Sequence, residues 1–243
     1  FNNINMYYCP KCGEKLRYNY YNFESLGDYY CPNCLFKRPN IDYLGAVNLD
    51  KKEILINHNK INIQFNILYY AYNILATYSV LSLIGLKEEK ICNYISEMEN
   101  NKKLNEYYEY NKRKIYVMSS KAENSTTYNQ SVLFTSNHKE LKTIVIGWKE
   151  ISRRYEYNDM SWLYDIEFEL LNNKNTDKVI CVGPQRYDIA TRIKYAGFDE
   201  KQIEVYENLD NAKEMIKSKS KGDIFAILNF DYIKPFNKIM EED

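Results

Sequence analysis

The chain has 243 residues, room for one large domain or two modest ones. Lys plus Arg is 33 and Asp plus Glu is 33, a formal net charge of +0, where a chain built to bind nucleic acid would carry a basic excess. Its 25 tyrosines are dispersed and make no platform for bases, no secretory h-region stands near the start, and the longest apolar run, Ile74 to Gly85, falls short of the roughly 20 residues a membrane span needs.

The first motif is Cys9-Pro10-Lys11-Cys12-Gly13, answered by Cys31-Pro32-Asn33-Cys34, a C-x2-C-x18-C-x2-C pattern. Zn2+ takes four soft ligands in a tetrahedron, and each C-x2-C turn presents two thiolates to one ion. Four ligands close the site, so the zinc is structural; a catalytic ion would keep an open position. Gly13 suits a tight knuckle that needs a positive φ. Leu16 to Tyr30 then reads as the hairpin of a zinc ribbon, held by metal because so small a unit cannot bury a core. Clustered metal-type cysteines also make a reducing, cytosolic compartment the default expectation. The chain starts on Phe1, not Met, which reads as a chain cut inside a longer protein.

Three short strands are predicted next, at Leu44–Leu49, Glu53–Ile56 and Lys60–Gln64, with His58 in an exposed turn. From Asn66 to Ile84 the period becomes helical, and Gly85 is a plausible stop. A second helix, Glu88 to Met98, sets Ile91, Ile95 and Met98 on one face. Lys114 to Ser119 reads as a strand, followed by a polar loop, Lys121 to Gln130, and a helix from about Ser131. The bland account of that loop is a capped helix start; the functional one is a lining of amides and hydroxyls around a ligand.

The remainder alternates strand and helix: Leu141–Trp148, Trp162–Leu171, Lys178–Gly183, Tyr187–Tyr195, Gln202–Tyr206, Leu209–Ser218, Asp223–Leu228. Such alternation predicts a doubly wound, mostly parallel α/β sheet. In that fold chemistry gathers where strands give way to helices, which draws attention to Asn158-Asp159-Met160-Ser161-Trp162-Leu163-Tyr164-Asp165. Read by itself, Asp159 is an N-cap for a helix beginning near Ser161. Arg192 and Lys194 read as a solvated or interface face of their helix, and Cys92 and Cys181 as buried, inert thiols.

Together these stretches resemble the MurT family, the Mur-ligase-like subunits of lipid II isoglutaminyl synthase. The four cysteines fit that family's ribbon. Tyr72-Asn73-Ile74-Leu75-Ala76 is similar to its Y-N-x-L-A helix start, Asp159 to Asp165 to its D-V-S-W-[IL]-[WY]-D, and Asp188 to Gly197 to its D-M-A-x-R-L-K-Y-A-G. The resemblance implies a Mur-ligase C-terminal domain over residues 111–243, part of a Mur central domain over 41–110, and a zinc-ribbon insertion over 1–40.

It further implies ATP- and Mg2+-dependent amidation of the D-glutamate α-carboxylate of lipid II to D-isoglutamine. The ammonia comes from a GatD-like glutaminase subunit in a heterodimer. By residue match Asp159 completes the glutaminase Cys-His pair in trans, with Asp165 as the fallback, and Asn73 approaches the adenine. The resemblance implies a cytoplasmic enzyme that can meet the inner membrane face through lipid II. The G-x-x-G-K-[ST] phosphate loop of Mur ligases does not occur, and family order places it before Phe1. This chain by itself is therefore expected to be inactive as a ligase. The missing loop and the altered 121–130 stretch favour a second reading, a non-catalytic zinc-ribbon binding or scaffold protein.

Overall fold

The computed structural model describes residues 6–23, 26–64, 69–101, 107–120, 124–148 and 160–241. The chain divides into two compact units, Phe1–Leu104 and Asn105–Asp243.

In the first unit β1 (Arg17–Phe23) and β2 (Leu26–Tyr30) form an antiparallel hairpin. Next, β3 (Gly45–Asn48), β4 (Glu53–Ile56) and β5 (Asn59–Asn62) make a three-stranded antiparallel sheet. His58 lies exposed in the turn between β4 and β5, as predicted. Two helices cover this sheet, α1 (Tyr69–Leu83) and α2 (Glu88–Asn101). Period-two alternation puts Ile54, Ile56, Ile61 and Ile63 on one face, against Ala71, Ile74 and Tyr78 of α1 and Ile91 and Ile95 of α2. Gly85 has φ +91 and its N–H bonds to Ser82 O, closing α1. One expectation for α2 fails: Met98 is exposed, and Cys92 takes the third buried place beside Ile91 and Ile95.

The second unit is a six-stranded sheet in the order β10-β9-β8-β11-β7-β6. Its strands are β6 (Tyr108–Tyr110), β7 (Arg113–Ser120), β8 (Lys142–Gly147), β9 (Thr176–Val182), β10 (Ile203–Tyr206) and β11 (Asp223–Asn229). All pairs are parallel except the edge hairpin β6–β7, whose turn uses positive φ at Asn111 and Lys112. Alternate residues of each central strand feed opposite faces. Ile144, Ile146, Val179, Cys181, Phe225 and Ile227 join α3 (Ser125–Asn137) and α4 (Arg186–Tyr195) on one side. Val145, Ile180, Val182, Ile224, Ala226 and Leu228 join α5 (Leu209–Glu214) and α6 (Phe230–Glu241) on the other. This is the doubly wound α/β layout the sequence predicted.

Three elements differ from expectation. The stretch read as a polar loop to Gln130 is helical from Ser125, because Asn124 caps it: its Oδ1 accepts from Thr127 N at 3.0 Å. Lys121 to Glu123 lie outside the described residues. α6 follows β11 where no helix was predicted; Pro235 stands inside it and breaks the helical signal. And Trp162 to Leu171 is not one helix but two 3-10 turns, Ser161–Asp165 and Phe168–Leu171.

Candidate functional site

Two places carry chemistry, one in each unit. In the first, Cys9, Cys12, Cys31 and Cys34 converge, with their Sγ atoms all within 4.8 Å of one another. Cys9 Sγ stands 3.6 Å from Cys34 Sγ and Cys12 Sγ 3.5 Å from Cys31 Sγ. Zn–S bonds of about 2.3 Å in a tetrahedron need an S···S edge of about 3.8 Å, so the cluster can hold such an ion. Backbone donors complete the knuckles. Lys11 N bonds Cys9 Sγ at 3.4 Å, Gly13 N bonds Cys9 O at 2.9 Å with Gly13 at φ +73, and Cys31 N bonds Phe36 O at 2.7 Å.

Burial opposes ionisation of Cys9, yet the Lys11 and Cys12 backbone N–H groups and the neighbouring thiols bring it down to about 7. The Phe36 N–H lowers Cys34, but burial and the surrounding sulfurs push it up to about 12. The four sulfurs compete for protons that a dication would displace.

The other end of the hairpin meets α1. Asn22 Nδ2 donates to Tyr72 Oη at 2.7 Å. Tyr20, Asn22, Ala46, Ala71, Tyr72 and Leu75 surround a cavity of about 270 Å3 there. Asn73, expected near an adenine, is exposed on α1 and does not line this cavity.

In the second unit the place is the carboxyl edge of the parallel sheet. From β8 the chain passes to the α3/α4 face, and from its neighbour β11 it passes into α6 on the opposite face. The two strands thus form the topological switch point at which open α/β sheets bind their ligands. Trp148, at the end of β8, is fully buried. Its ring packs 5.6 Å from Tyr128 and 5.3 Å from Trp162, and Tyr128 stacks on Trp162 at 5.3 Å. Trp162 of the motif is thus an aromatic anchor for the segment after β8. Gly183, ending β9 at φ +98, leaves room for Trp148 O and Tyr232 Oη, which a Cβ would meet at 2.7 and 2.8 Å. Trp148 Nε1, Gln130 Nε2 and Gln185 Oε1 are buried with no hydrogen-bond partner among the described residues.

Asp159 lies outside the described residues. The residue at the cap of the first 3-10 turn is Met160, which makes no side-chain cap bond. Asp165, the fallback, is half-buried at the end of that turn, and its carbonyl accepts from Asn129 Nδ2 at 2.9 Å. Asn129 Oδ1 in turn accepts from Glu167 N at 2.8 Å. One carboxamide therefore holds both sides of the break between the two turns.

Arg192 finishes the job, and here the expectation of a solvated side chain is overturned: Arg192 is 5% exposed. Its guanidinium donates to Leu163 O at 3.2 Å and Ile166 O at 2.6 Å, and forks onto Glu169 at 2.9 Å. Arg192 shares these two carbonyls with the 3-10 N–H groups of Ile166 and Phe168, while Asn129 Oδ1 takes the Glu167 N–H that a continuous helix would give to Leu163 O, and the segment breaks there. Burial opposes ionisation of Glu169, but the Arg192 fork holds its carboxyl below the usual range. Lys194 and Asp188 are exposed, Lys194 paired with Glu200. Cys92 and Cys181 are buried, and burial raises both thiols.

Asn129 and Arg192 escaped the sequence reading as site builders. The available signal was a carboxamide inside a buried helix, and an arginine in the register of Ile189 and Ile193.

Residues 122–232 match the family described as MurT ligase C-terminal. The chain is 28% identical over 94% of its length to the MurT subunit of lipid II isoglutaminyl synthase (glutamine-hydrolyzing) from Staphylococcus aureus strain COL, and 20% identical over 96% to that of Streptococcus pneumoniae R6. It spans about half the length of these relatives, 51% and 52%. Among solved structures, a pseudomurein peptide ligase type C from Methanothermus fervidus aligns with TM-score 0.68 at 19% identity, over 96% of this chain and 48% of that one. MurF from Acinetobacter baumannii aligns with TM-score 0.54 at 12% identity, over 78% and 42%. These structures share the fold, and the match to the MurT ligase C-terminal model over 122–232 covers most of the α/β unit, its switch-point edge included.

Proposed function

We propose that this chain serves as part of a lipid II isoglutaminyl synthase, amidating the α-carboxylate of D-glutamate in the stem peptide with ammonia released by a glutaminase partner. The observation that carries the reading is the MurT ligase C-terminal match, joined by similarity to MurT subunits along nearly the whole chain.

ATP and Mg2+ supply the activation chemistry, turning the carboxylate into an acyl phosphate that ammonia can displace. The 243 residues contain no G-x-x-G-K-[ST] loop, so the phosphates find no cradle in this sequence. Asn73 is the residue proposed to meet the adenine; its exposed carboxamide offers both a donor and an acceptor. The cysteine cluster holds a structural zinc, since all four ligand positions are filled by sulfur.

Asp159 is the proposed catalytic contribution to the glutaminase. A catalytic histidine needs an acceptor on one ring nitrogen to fix its tautomer and stabilise the imidazolium. A carboxylate supplied by this chain would do so only in the docked complex, which couples ammonia release to ligation. Asp165, with its backbone pinned by Asn129, is the second candidate.

The test is the turnover of a GatD-like glutaminase with and without this chain. Asp159→Asn is expected to abolish the stimulation while zinc content and circular dichroism stay unchanged. Full stimulation by Asp159→Asn, with loss in Asp165→Asn, would move the role to Asp165; full stimulation by both would end the reading of a shared triad.

A further inference from the structure

The metal-bearing end of the hairpin has a surface that structural zinc binding does not account for. Leu35 directly follows the ligand Cys34 and is 96% exposed. Tyr8, beside Cys9, is 66% exposed. Pro10, Pro32 and Asn33 are exposed between the ligands of the two knuckles. Cations ring this apolar tip. Lys11 Nζ lies 6.0 Å from the Phe36 ring, Lys15 Nζ lies 5.5 Å from the Tyr7 ring, and Lys37 is exposed one residue beyond Phe36. Against these three lysines the described tip carries one carboxylate, Glu14. The hairpin meets α1 through Asn22 at its turn end, so the tip lies at the opposite end of the hairpin from that contact.

An exposed leucine, amphipathic tyrosines and lysines on flexible stems form the combination that partitions into a lipid headgroup layer. Apolar groups enter the acyl boundary while ammonium groups reach lipid phosphates. The excess of positive charge matches an anionic surface, and a purely apolar docking patch would not need it. The metal knuckles hold the backbone rigid, so the tip can be presented at little cost in ordering.

We propose that this tip docks the chain onto the headgroup region of an anionic lipid bilayer, with Leu35 entering the interface and Lys11, Lys15 and Lys37 on lipid phosphates. The inference goes beyond the proposed amidation and rests on the tip alone.

The experiment is flotation of the zinc-loaded full chain with vesicles of phosphatidylcholine mixed with phosphatidylglycerol, and with phosphatidylcholine alone. Binding is expected on the anionic vesicles only, weakening as salt is raised. Each lysine near such a surface contributes a factor of about five, so Lys11→Gln/Lys37→Gln is expected to lose about 25-fold. Leu35→Ser is expected to lose about tenfold. All three side chains are exposed, so zinc content serves as the control for folding. Absence of flotation with the anionic vesicles would overturn the proposal. So would equal flotation by wild type and both variants. Capture of the chain by polyglutamate, with no vesicle binding, would assign the tip to an acidic protein partner instead. Glutaminase stimulation, measured without lipid, stays intact whichever result is found.

Discussion

Replacing Arg192 by methionine keeps much of the side-chain volume and removes the fork. The bonds to Leu163 O and Ile166 O are lost, and both residues are buried, at 1% and 0% exposure. Each carbonyl keeps one backbone donor, Ile166 N on Leu163 O and Phe168 N on Ile166 O, so the loss is that of two bonds from a charged donor at about 1.5–3 kcal/mol each, about 3–6 kcal/mol together. Glu169 contributes little to the loss, because its side chain is 55% exposed and returns to water for less than about 1 kcal/mol. Against a typical total of about 5–15 kcal/mol, the change is large. Urea unfolding followed by tryptophan fluorescence reads it, since Trp162 and Trp148 report this region directly. Arg192→Met is expected to lower stability by about 4 kcal/mol and Glu169→Gln by less than about 1 kcal/mol. Equal losses in the two variants would refute the reasoning, because the ion pair and not the carbonyl bonds would then carry the stabilisation.

Gly183→Ala is expected to destabilise by more than about 2 kcal/mol, because a Cβ meets Trp148 O at 2.7 Å at a positive φ; thermal unfolding checks it. Cys34→Ser is expected to cost most of the bound zinc, read by a chromophoric chelator, with loss of hairpin signal in circular dichroism. For His138, burial beside Tyr116 and Phe225 pushes the imidazole below its ordinary value of 6.5, while Asp223 opposes this and Lys142 adds to it. Its Nε2 comes within 3.1 Å of Asp223 Oδ2 but is not aligned for a hydrogen bond, so burial wins. A base with a lowered folded value takes its proton first when unfolded. Stability is therefore expected to fall as pH drops below 6.5, and His138→Gln to flatten that slope in pH-dependent urea titrations.

The periodic parts of the fold were legible in the sequence. Ile54, Ile56, Ile61 and Ile63 alternate, and the strands from Lys142 onward are short apolar runs between helices. The convergence of the four cysteines needed only spacing. What the sequence hid depends on side chains that reach across the fold. The break within Ser161–Leu171 is made by Asn129 and Arg192, 32 and 31 residues from Ser161 on either side, and no local propensity encodes it. The early start of α3 was hidden for the opposite reason. Ser125, Thr126 and Thr127 are weak helix formers, and only the capping bond of Asn124 reveals them as a first turn. Asp159 was singled out by its motif; its geometry lies outside the described residues.

The hairpin carries sulfur ligands at one end and Tyr20 and Asn22 in a cavity wall at the other. Were an ion at the cysteines to order the hairpin, ion binding and cavity binding would be linked equilibria. A small molecule lodged in the cavity beside Tyr20 and Asn22 would then raise the affinity of the cysteines for an ion. By reciprocity, chelating the ion would weaken that molecule by the same factor. A zinc site closed to chemistry would in this way still set the grip of a cavity at the far end of its own hairpin.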